Sequence, residues 1–515
     1  MRTLVVGGGA ASVPLAARLS EDPDREVVLI EAGAAAIPPP AELLDGSAIP
    51  AAVPGHPASW GYEAELLPGR FAVVPRGRLL GGSSAINGGY FVRATPGDFG
   101  RWAREGGRAW AHDSALPILA ALENDLDFGD APGHGSKGPM RVRRPDPASG
   151  LVDAFYEAAR ELGFPAEPDK NAVGAALGVG PVPSNIVDGV RINTAAAYLG
   201  EAERRPNLTV LGETRALRIR IENARATGVE VLTARPDGGG EAGFIAADEV
   251  VLCAGAVATP QLLLLSGVGP RAQLDALGIS VIADLPVGER FHDHPNLALL
   301  WRSARSTRIP EERTAFPAAL NLDSSGAAGL HPDGDLEILL TARPEHALFV
   351  SGPAADADPT RDTELRLIVA LQQPRSRGRL GLRSADPLDP PRIEYRYLEH
   401  AEDRDRLRIG VRTAAALLRS AAFAERFGGF VDLDDGGLGD DEALDAWIRA
   451  RLGTAIHMCG TAPMGAVVDG AGRVQGVDGL RVADTSILPS APHRGPANTA
   501  VFIGELIARR MLRGE

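Results

Sequence analysis

The sequence of 515 residues is 44% hydrophobic and 23% charged, with a formal net charge of −14. This length predicts roughly two to four domains, and the composition is that of an ordinary globular protein. The acidic balance and the lack of a basic tract argue against nucleic acid as a partner and against an electrostatic attachment to anionic lipid.

The sequence also limits the location of the protein and the use of its two cysteines. No apolar run approaches the roughly 20 residues of a membrane helix, so we predict no integral membrane segment. A strand predicted from residue 3 leaves no room for a signal or transit peptide, and we expect a cytoplasmic protein. Cys253 and Cys459 are too few for a disulfide framework or a zinc site, and we predict no metal centre.

The start of the chain follows the pattern of a dinucleotide-binding unit. An apolar strand at 3–6 leads into a glycine-rich loop, a helix at 10–19 and a second apolar run that ends at Glu31. The loop and the helix N-terminus would hold a pyrophosphate, and Glu31 would accept the ribose hydroxyls. Ser12 stands where the fingerprint has its third glycine, which predicts a slightly wider spacing of helix and strand. A glycine-rich turn in another α/β protein is the alternative, but the order of elements favours dinucleotide binding and leaves the dinucleotide open.

A second glycine-rich loop, at 81–89, follows a proline-rich excursion at 34–57. Its four glycines and two serines suit a tight loop pressed against a flat ligand, although a flexible surface loop has a similar composition. Further along we predict a helix at 114–123 with Ser114 as its N-cap, a helix at 151–162, and a loop whose His134 lies at the surface.

Apolar runs in the middle of the chain predict strands at 207–211, 216–221, 227–232 and 249–254. The last strand enters a small-residue turn and a leucine-rich helix at 255–269, a second strand–turn–helix unit that can flank the first around one cofactor. A separate sheet is predicted from strands at 336–340, 364–371, 379–383 and 392–395. Helices are predicted at 400–418 and 441–452.

The C-terminal part carries the residues best suited to catalysis. His457 lies among small and apolar residues, Asp484 ends a short strand, and residues 492–500 lead into a final helix predicted from Val501. A neutral imidazole suits the role of a base because its pKa lies near the operating pH.

The chain resembles the glucose-methanol-choline (GMC) family of FAD-dependent oxidoreductases over nearly its whole length. Residues 77–94 resemble the first family signature, and the single mismatch is its final position, where Gly100 replaces a polar residue. Residues 255–269 resemble the second signature at every position. The opening loop, residues 293–295, residues 457–465 and Asp484 follow in the family's order and spacing.

This resemblance implies an α/β fold, with a Rossmann-like FAD-binding domain on a parallel sheet and an α+β substrate domain on an antiparallel sheet. The FAD-binding domain is expected at 1–290, with part of the substrate domain inserted around 95–190. The substrate-binding domain is expected at 291–440. Residues 441–515 are expected to return to the FAD-binding domain and to carry the catalytic histidine.

The resemblance further implies noncovalent FAD, because Ile86 stands where some relatives have a histidine that tethers the flavin. The residues expected to bind FAD are Gly7, Gly9, Ala10, Ala11, Glu31, Gly81, Gly82, Ser83, Asn87, Gly88, Leu217, Asp484, Asn498 and Thr499.

His457 is the expected base, taking the hydroxyl proton while a hydride passes from the alcohol carbon to flavin N5. Relatives pair this histidine with a second His or Asn at the position that Gly495 occupies here. His493 or Asn498 takes that place if the loop is re-threaded; otherwise water or another side chain does. We favour His493.

The expected activity is oxidation of the CH–OH group of a small-molecule alcohol. Residues 88–94 and 492–496 resemble the mycofactocin-associated branch of the family, which implies a peptide-derived redox carrier as substrate. It also implies a quinone or a protein rather than oxygen as electron acceptor, and peripheral contact with a membrane partner. An FAD-containing lyase of the hydroxynitrile type and an electron-relay flavoprotein without its own alcohol substrate are the alternatives.

Overall fold

A parallel sheet carries the opening unit of the chain. The computed structural model describes residues 1–145, 150–174, 177–235, 238–304, 314–326, 329–341, 343–344, 347–349 and 364–515. Among these residues five strands form the sheet, in the order Leu208–Leu211, Glu26–Ile30, Arg2–Val6, Glu249–Leu252 and Leu480–Val482. The three central strands are short runs of Val, Leu and Ile that are buried nearly throughout, as strands covered on both faces require.

The opening helix, Ser12–Leu19, is covered by the final helix, Ala497–Leu512. A Cβ atom at Gly504 would lie 2.1 Å from the carbonyl oxygen of Ala11, so only glycine allows this close packing. Ser12 is fully buried, and its hydroxyl donates to the carbonyl of Gly9 at 3.1 Å. The serine in the fingerprint therefore bonds to the glycine-rich loop itself.

A larger antiparallel sheet faces the parallel one across a cavity. In the described part of the chain its strands are Gly178–Pro181, Pro295–Ser303, Ala318–Leu322, Leu336–Leu340, Glu364–Leu371, Phe427–Phe430 and Gly453–Thr454. The long helix Ala401–Leu418 packs on this sheet. The expected α/β fold, with a parallel and an antiparallel sheet, is confirmed. Residues 305–313 and 350–363 of the predicted region 291–440 lie outside the described residues.

Two of the strands predicted for the separate sheet lie elsewhere. Arg379–Gly381 and Arg392–Glu394 join Tyr62–Leu67 and Arg70–Val74 in a four-stranded sheet. Glu394 pairs in parallel with Glu65, more than 300 positions away in the chain. The prediction of one common sheet was wrong because a three-residue strand carries too little side-chain pattern to identify its partner.

The remaining strands are Thr214–Glu222, Arg225–Ala234 and Gly240–Ala246 in one antiparallel sheet, and two pairs, Glu123–Asp125 with Met140–Val142 and Ile186–Val187 with Val190–Arg191. The other described α-helices are Ala41–Leu44, Pro96–Gly106, His112–Leu122, Gly150–Glu161, Thr194–Ala202, Gly255–Leu265, Arg271–Ala276, Asp435–Gly439 and Asp441–Arg451. No helix in the described ranges combines the length and apolar character needed to cross a membrane.

Two predicted helix starts differ from the structure. The helix predicted from Ser114 begins at His112, with Ala111 as a cap that makes no side-chain hydrogen bond, so Ser114 is not the N-cap. The final helix begins at Ala497 rather than Val501, which places Asn498 and Thr499 in its first turn. Pro496 precedes the final helix and fixes its start.

Candidate active site

A cavity of about 610 Å³ lies between the two large sheets, at the carboxyl ends of the parallel strands. It brings together most of the residues predicted from the sequence: Gly7, Gly9, Ala10, Ala11, Glu31, Gly82, Ser83, Asn87, Gly88, Leu217, His457 and Asp484. Four predicted residues are not part of its lining: Gly81, His493, Asn498 and Thr499.

The two glycine-rich loops contact each other at one end of the cavity. A Cβ atom at Gly82 would lie 2.6 Å from the Cα of Gly9, and the amide of Gly81 donates to the carbonyl of Gly8 at 2.7 Å. Gly7 has a φ of +98°, a conformation open mainly to glycine. A Cβ atom at Gly9, by contrast, would meet nothing closer than 3.9 Å. The loops thus leave bare backbone beside the cavity, which suits a diphosphate.

Glu31 supplies a carboxylate at the same end. Its Oε2 accepts the Gly8 amide at 2.7 Å and its Oε1 accepts the Gly33 amide at 2.9 Å. Burial raises the pKa of Glu31 to about 7, against the opposing effect of these amides. A ligand that donates hydroxyl hydrogens to this carboxylate would stabilise its charge, as the ribose of a dinucleotide does.

Asp484 joins the second strand–turn–helix unit to the C-terminal part of the chain. Its Oδ2 accepts from the Thr259 hydroxyl at 2.6 Å and from the Gly255 amide at 2.8 Å. Burial raises the pKa of Asp484, while hydrogen bonds from Ser486, Thr259 and Gly255 oppose the rise. Asp484 therefore both lines the cavity and fixes the turn that opens the helix Gly255–Leu265.

The first turn of the final helix carries polar atoms without partners. Both side-chain polar atoms of Asn498 and the hydroxyl of Thr499 are buried and make no hydrogen bond within the described structure. Their neighbours Ala497 and Ala500 line the cavity. Since buried polar atoms are nearly always satisfied, these atoms indicate a polar ligand or water beside the helix N-terminus. Together with the bare loops and Glu31, they fit a bound dinucleotide.

His457 lies on the cavity wall and is held by residues of the 293–295 segment. Its Nδ1 is 2.9 Å from Nδ1 of His294, and its backbone amide donates to Oδ1 of Asp293 at 2.7 Å. Burial, followed by the neighbouring charges of His294 and Arg76, lowers the pKa of His457 well below its usual value. The imidazole is therefore neutral at neutral pH and can accept a proton.

His294 is the contact that the sequence did not identify as a site residue. It is fully buried, and burial lowers its pKa to about 3. Asp293 accepts the amides of both His294 and His457, and burial raises its pKa to about 6. The only signal available in the sequence was the motif at 293–295, and this motif does not indicate that His294 contacts His457.

The structure does not bring His493 to the cavity. Its Nδ1 lies 2.9 Å from Oδ1 of Asp98 and 2.7 Å from a guanidinium nitrogen of Arg101. The His493 amide also donates to Asp98 at 3.0 Å. Burial opposes the ionisation of Asp98, but His493 and Arg101 hold the pKa of this carboxyl well below its usual value. The side chain of His493 thus anchors the 492–496 segment to the helix Pro96–Gly106.

Gly495, two residues later, does reach His457. It lines the cavity, and a Cβ atom placed on it would lie 3.3 Å from Cε1 of His457. The same Cβ atom would lie 3.0 Å from Cδ1 of Tyr90. The position where relatives carry a second His or Asn is therefore beside His457, and the ring of Tyr90 fills the adjoining space.

The prediction that His134 is a surface residue was wrong. Its side chain is 1% exposed and contacts the carboxylates of Glu123, Asp125 and Asp169. Burial alone would lower its pKa, but these carboxylates raise it to about 10, so the ring is a cation. The carboxylates also pair with arginines, namely Arg93 and Arg144. A loop rich in Gly, Asp and Pro resembles an exposed segment, and only the fold reveals this network.

Comparison with known proteins identifies the family of the chain. Models of the GMC oxidoreductase family match residues 1–296 and 374–504. A GMC-type oxidoreductase of Rhodococcus erythropolis is 41% identical over 99% of this chain and 98% of its own. An oxygen-dependent choline dehydrogenase of Rhizobium rhizogenes is 32% identical over 99% of this chain and 95% of its own.

Solved structures agree over the full length. Pyridoxine 4-oxidase from Mesorbium loti superposes with a TM-score of 0.87 at 30% identity, covering 99% of both chains. Formate oxidase has the same TM-score at 24% identity, covering 100% of this chain and 98% of its own, which shows the shared fold. The chain belongs to the GMC oxidoreductase family of FAD-dependent oxidoreductases.

Proposed function

We propose that this protein oxidises the CH–OH group of an alcohol, with noncovalently bound FAD and with His457 as the base. The observation that carries the proposal is a neutral imidazole on the wall of the dinucleotide cavity, fixed by His294 and Asp293. Names of relatives support an alcohol substrate, since they include choline dehydrogenases and a pyridoxine oxidase.

The residues that would hold FAD fall into two groups along the cavity. The bare loops around Gly9 and Gly82 would bind the diphosphate, and Glu31 would accept the ribose hydroxyls. Asp484 lines the same cavity, as do Ala497 and Ala500 in the first turn of the final helix. Ile86 lines the cavity with a hydrocarbon side chain, which has no atom able to form a bond to the flavin. This supports noncovalent binding.

The proton would leave through His457. FAD, when bound, supplies the acceptor for a hydride from the alcohol carbon. One of the two Nδ1 atoms that face each other in His457 and His294 must donate the hydrogen bond. If His457 donates, its Nε2 carries no proton and can accept the one on the substrate hydroxyl. Asp293, by accepting the His457 amide, keeps the ring at the cavity wall.

The test is anaerobic mixing of the purified flavoprotein with a panel of alcohols. We expect the visible flavin band to bleach with at least one alcohol, and His457→Gln to slow the bleaching by roughly a hundredfold to ten-thousandfold. His400→Gln is the matched control, because His400 is an exposed histidine at the start of another helix. A variant at His457 that is reduced at the normal rate would overturn the role of the base.

The same experiment separates the alternatives. A hydroxynitrile-type lyase would convert its substrate and leave the flavin band unbleached, whereas an electron relay would be reduced by a partner independently of His457. The acceptor is tested by reoxidising the reduced protein with air, a quinone or a redox protein. Fast reoxidation by air would contradict the mycofactocin-linked branch and would match the relatives named as oxygen-dependent.

A further inference from the structure

Glu337 is a carboxylate on the substrate side of the cavity that the proposed chemistry does not use. It lies on the strand Leu336–Leu340 of the antiparallel sheet and lines the cavity, although it is only 6% exposed. Apolar side chains surround it on the same wall, among them Phe316, Leu339 and Ile368. A carboxylate in such a place needs hydrogen-bond donors.

The protein supplies donors to only one of its two oxygens. Oε2 accepts the Tyr90 hydroxyl at 2.7 Å and the Asn321 amide at 3.0 Å. No donor to Oε1 is found among the described residues. A buried chain continues behind Asn321, whose Oδ1 accepts from the ammonium group of Lys170 at 2.9 Å. These bonds hold Glu337 in one orientation and leave Oε1 for the contents of the cavity.

Tyr90 connects this carboxylate to the reaction centre. Its ring and the ring of His457 both lie against Gly495, at 3.0 Å and 3.3 Å from the position of a Cβ atom there. Burial and the charge of Glu337 raise the pKa of Tyr90 well above its usual value, so its hydroxyl stays protonated and donates to Oε2. Only one tyrosine side chain therefore separates Glu337 from His457.

The geometry points to Glu337 as a specificity-determining residue, held by Tyr90, that accepts a hydrogen bond from a second donor on the alcohol substrate. Tyr90, which holds Glu337, lies beside the position that a side chain at Gly495 would fill next to His457. The substrate is accordingly an alcohol with a further hydroxyl or amino group near the carbon that is oxidised. This inference rests on the proposed alcohol oxidation.

Arg366, on the neighbouring strand, also lines the cavity. Its guanidinium group lies over the ring of Phe349 at 5.2 Å. Glu337 pairs with Ala370, so Arg366 lies four residues along the neighbouring strand from the partner of Glu337. The carboxylate of Glu337 is therefore the group that a second donor on the substrate would meet, and a simple alkyl alcohol would leave its Oε1 without a donor.

The experiment compares 1-propanol, 1,2-propanediol, 2-amino-1-propanol and choline. Binding to the oxidised holoprotein is measured by calorimetry, and the rate of anaerobic flavin reduction is measured separately. We expect the diol or the amino alcohol to bind about tenfold or more tightly than 1-propanol. Choline, a cation without an N–H donor, tests charge alone. Comparison of the diol with the amino alcohol shows whether a hydroxyl or an amino group donates the hydrogen bond to Glu337.

Glu337→Gln should bring the ratio of the dissociation constants close to one, with an unchanged flavin spectrum. Tyr90→Phe should lower this ratio only in part, because the Asn321 amide still donates to Oε2 of Glu337. Glu364→Gln is the matched control, since Glu364 lies at the end of the adjacent strand and pairs with Arg302. Equal binding of the propanol and the diol by the wild type, or an unchanged ratio in Glu337→Gln, would overturn the inference.

The two proposals fail in different ways. If no alcohol reduces the flavin, alcohol oxidation is refuted, while the binding ratios still report on Glu337. A second outcome is that alcohols reduce the flavin and that His493→Asn, rather than Tyr90→Phe or Glu337→Gln, removes the difference in binding between 1-propanol and the diol. In that case His493 accepts the second hydrogen bond of the substrate, and the assignment to Glu337 is wrong.

Discussion

Nδ1 of His457 lies 2.9 Å from Nδ1 of His294, with the two rings nearly perpendicular at 82°. His294 directly precedes the strand Pro295–Ser303, and His457 follows the strand Gly453–Thr454 that pairs with it. Asp293 accepts the backbone amides of both histidines. A hydrogen bond between the two rings requires one Nδ1 to donate and the other to accept, and it restricts the orientation of both.

His294→Asn should move the acidic limb of the pH profile for flavin reduction to higher pH. In the wild type that limb is expected below pH 6.5, because the pKa of His457 is depressed. Removing the His294 ring admits water beside His457, and the better solvation of its charged form raises the pKa of His457. The rate should also fall roughly tenfold to hundredfold. An unshifted limb, with His400→Asn as control, would show that His294 has no influence on the base.

FAD affinity should rise with pH and level off near pH 7. Glu31 has a pKa of about 7 in the protein without ligand, so below this pH the carboxyl must lose a proton before it can accept the ribose hydroxyls. The dissociation constant, followed by FAD fluorescence, should increase by up to about tenfold per pH unit below 7. Glu31→Gln should bind FAD more weakly above pH 7 and show a flat profile. A flat wild-type profile would contradict the role of Glu31.

The stability of the protein should depend on the charge of His134. Its pKa rises from 6.5 to about 10 on folding, so its contribution is complete below pH 6.5 and is lost as the pH rises through 10. His134→Gln leaves three buried carboxylates with fewer cations and should cost on the order of 3 kcal/mol at pH 6. Urea unfolding at pH 6 and pH 9.5 measures this. A cost that is larger at pH 9.5 would reverse the assignment.

Two glycine-to-alanine changes in helices should have opposite effects. Gly504→Ala places a Cβ atom 2.1 Å from the Ala11 carbonyl and should destabilise the protein by about 1–3 kcal/mol. Gly100, in the helix Pro96–Gly106, has no atom within 4 Å of such a Cβ, and its change to alanine should stabilise by roughly 0.4–1 kcal/mol. Thermal unfolding distinguishes them. Equal midpoints would mean that the final helix moves freely to accommodate the methyl group.

The sequence was sufficient where local pattern determines structure. The strands at 336–340 and 364–371 were predicted with their observed bounds, because a continuous apolar or alternating run is a direct signal for a strand. Most of the residues predicted to bind the cofactor line the cavity, since a glycine-rich loop that follows a buried strand is a strong local pattern.

The remaining features depend on contacts between distant parts of the chain. His294 meets His457 across 163 positions, and Tyr90 meets Glu337 across 247. Neither pair has a local signature, and the predicted partner His493 is held by Asp98 instead. Loops with the composition found around His134 are exposed on average, which is why His134 was predicted at the surface. The composition does not show that the fold buries this side chain among carboxylates.

The contact between Gly495 and Tyr90 also constrains how this active site can change. A side chain at 495 requires Tyr90 to give way by a few tenths of an ångström, because its ring carbon lies 3.0 Å from the Cβ position. A smaller residue at 90 makes that room but releases Glu337 from one of its two donors. A polar side chain at 495 and the Tyr90–Glu337 hydrogen bond therefore oppose each other, and Gly495→Asn with Tyr90→Ala would gain the first group by losing the second.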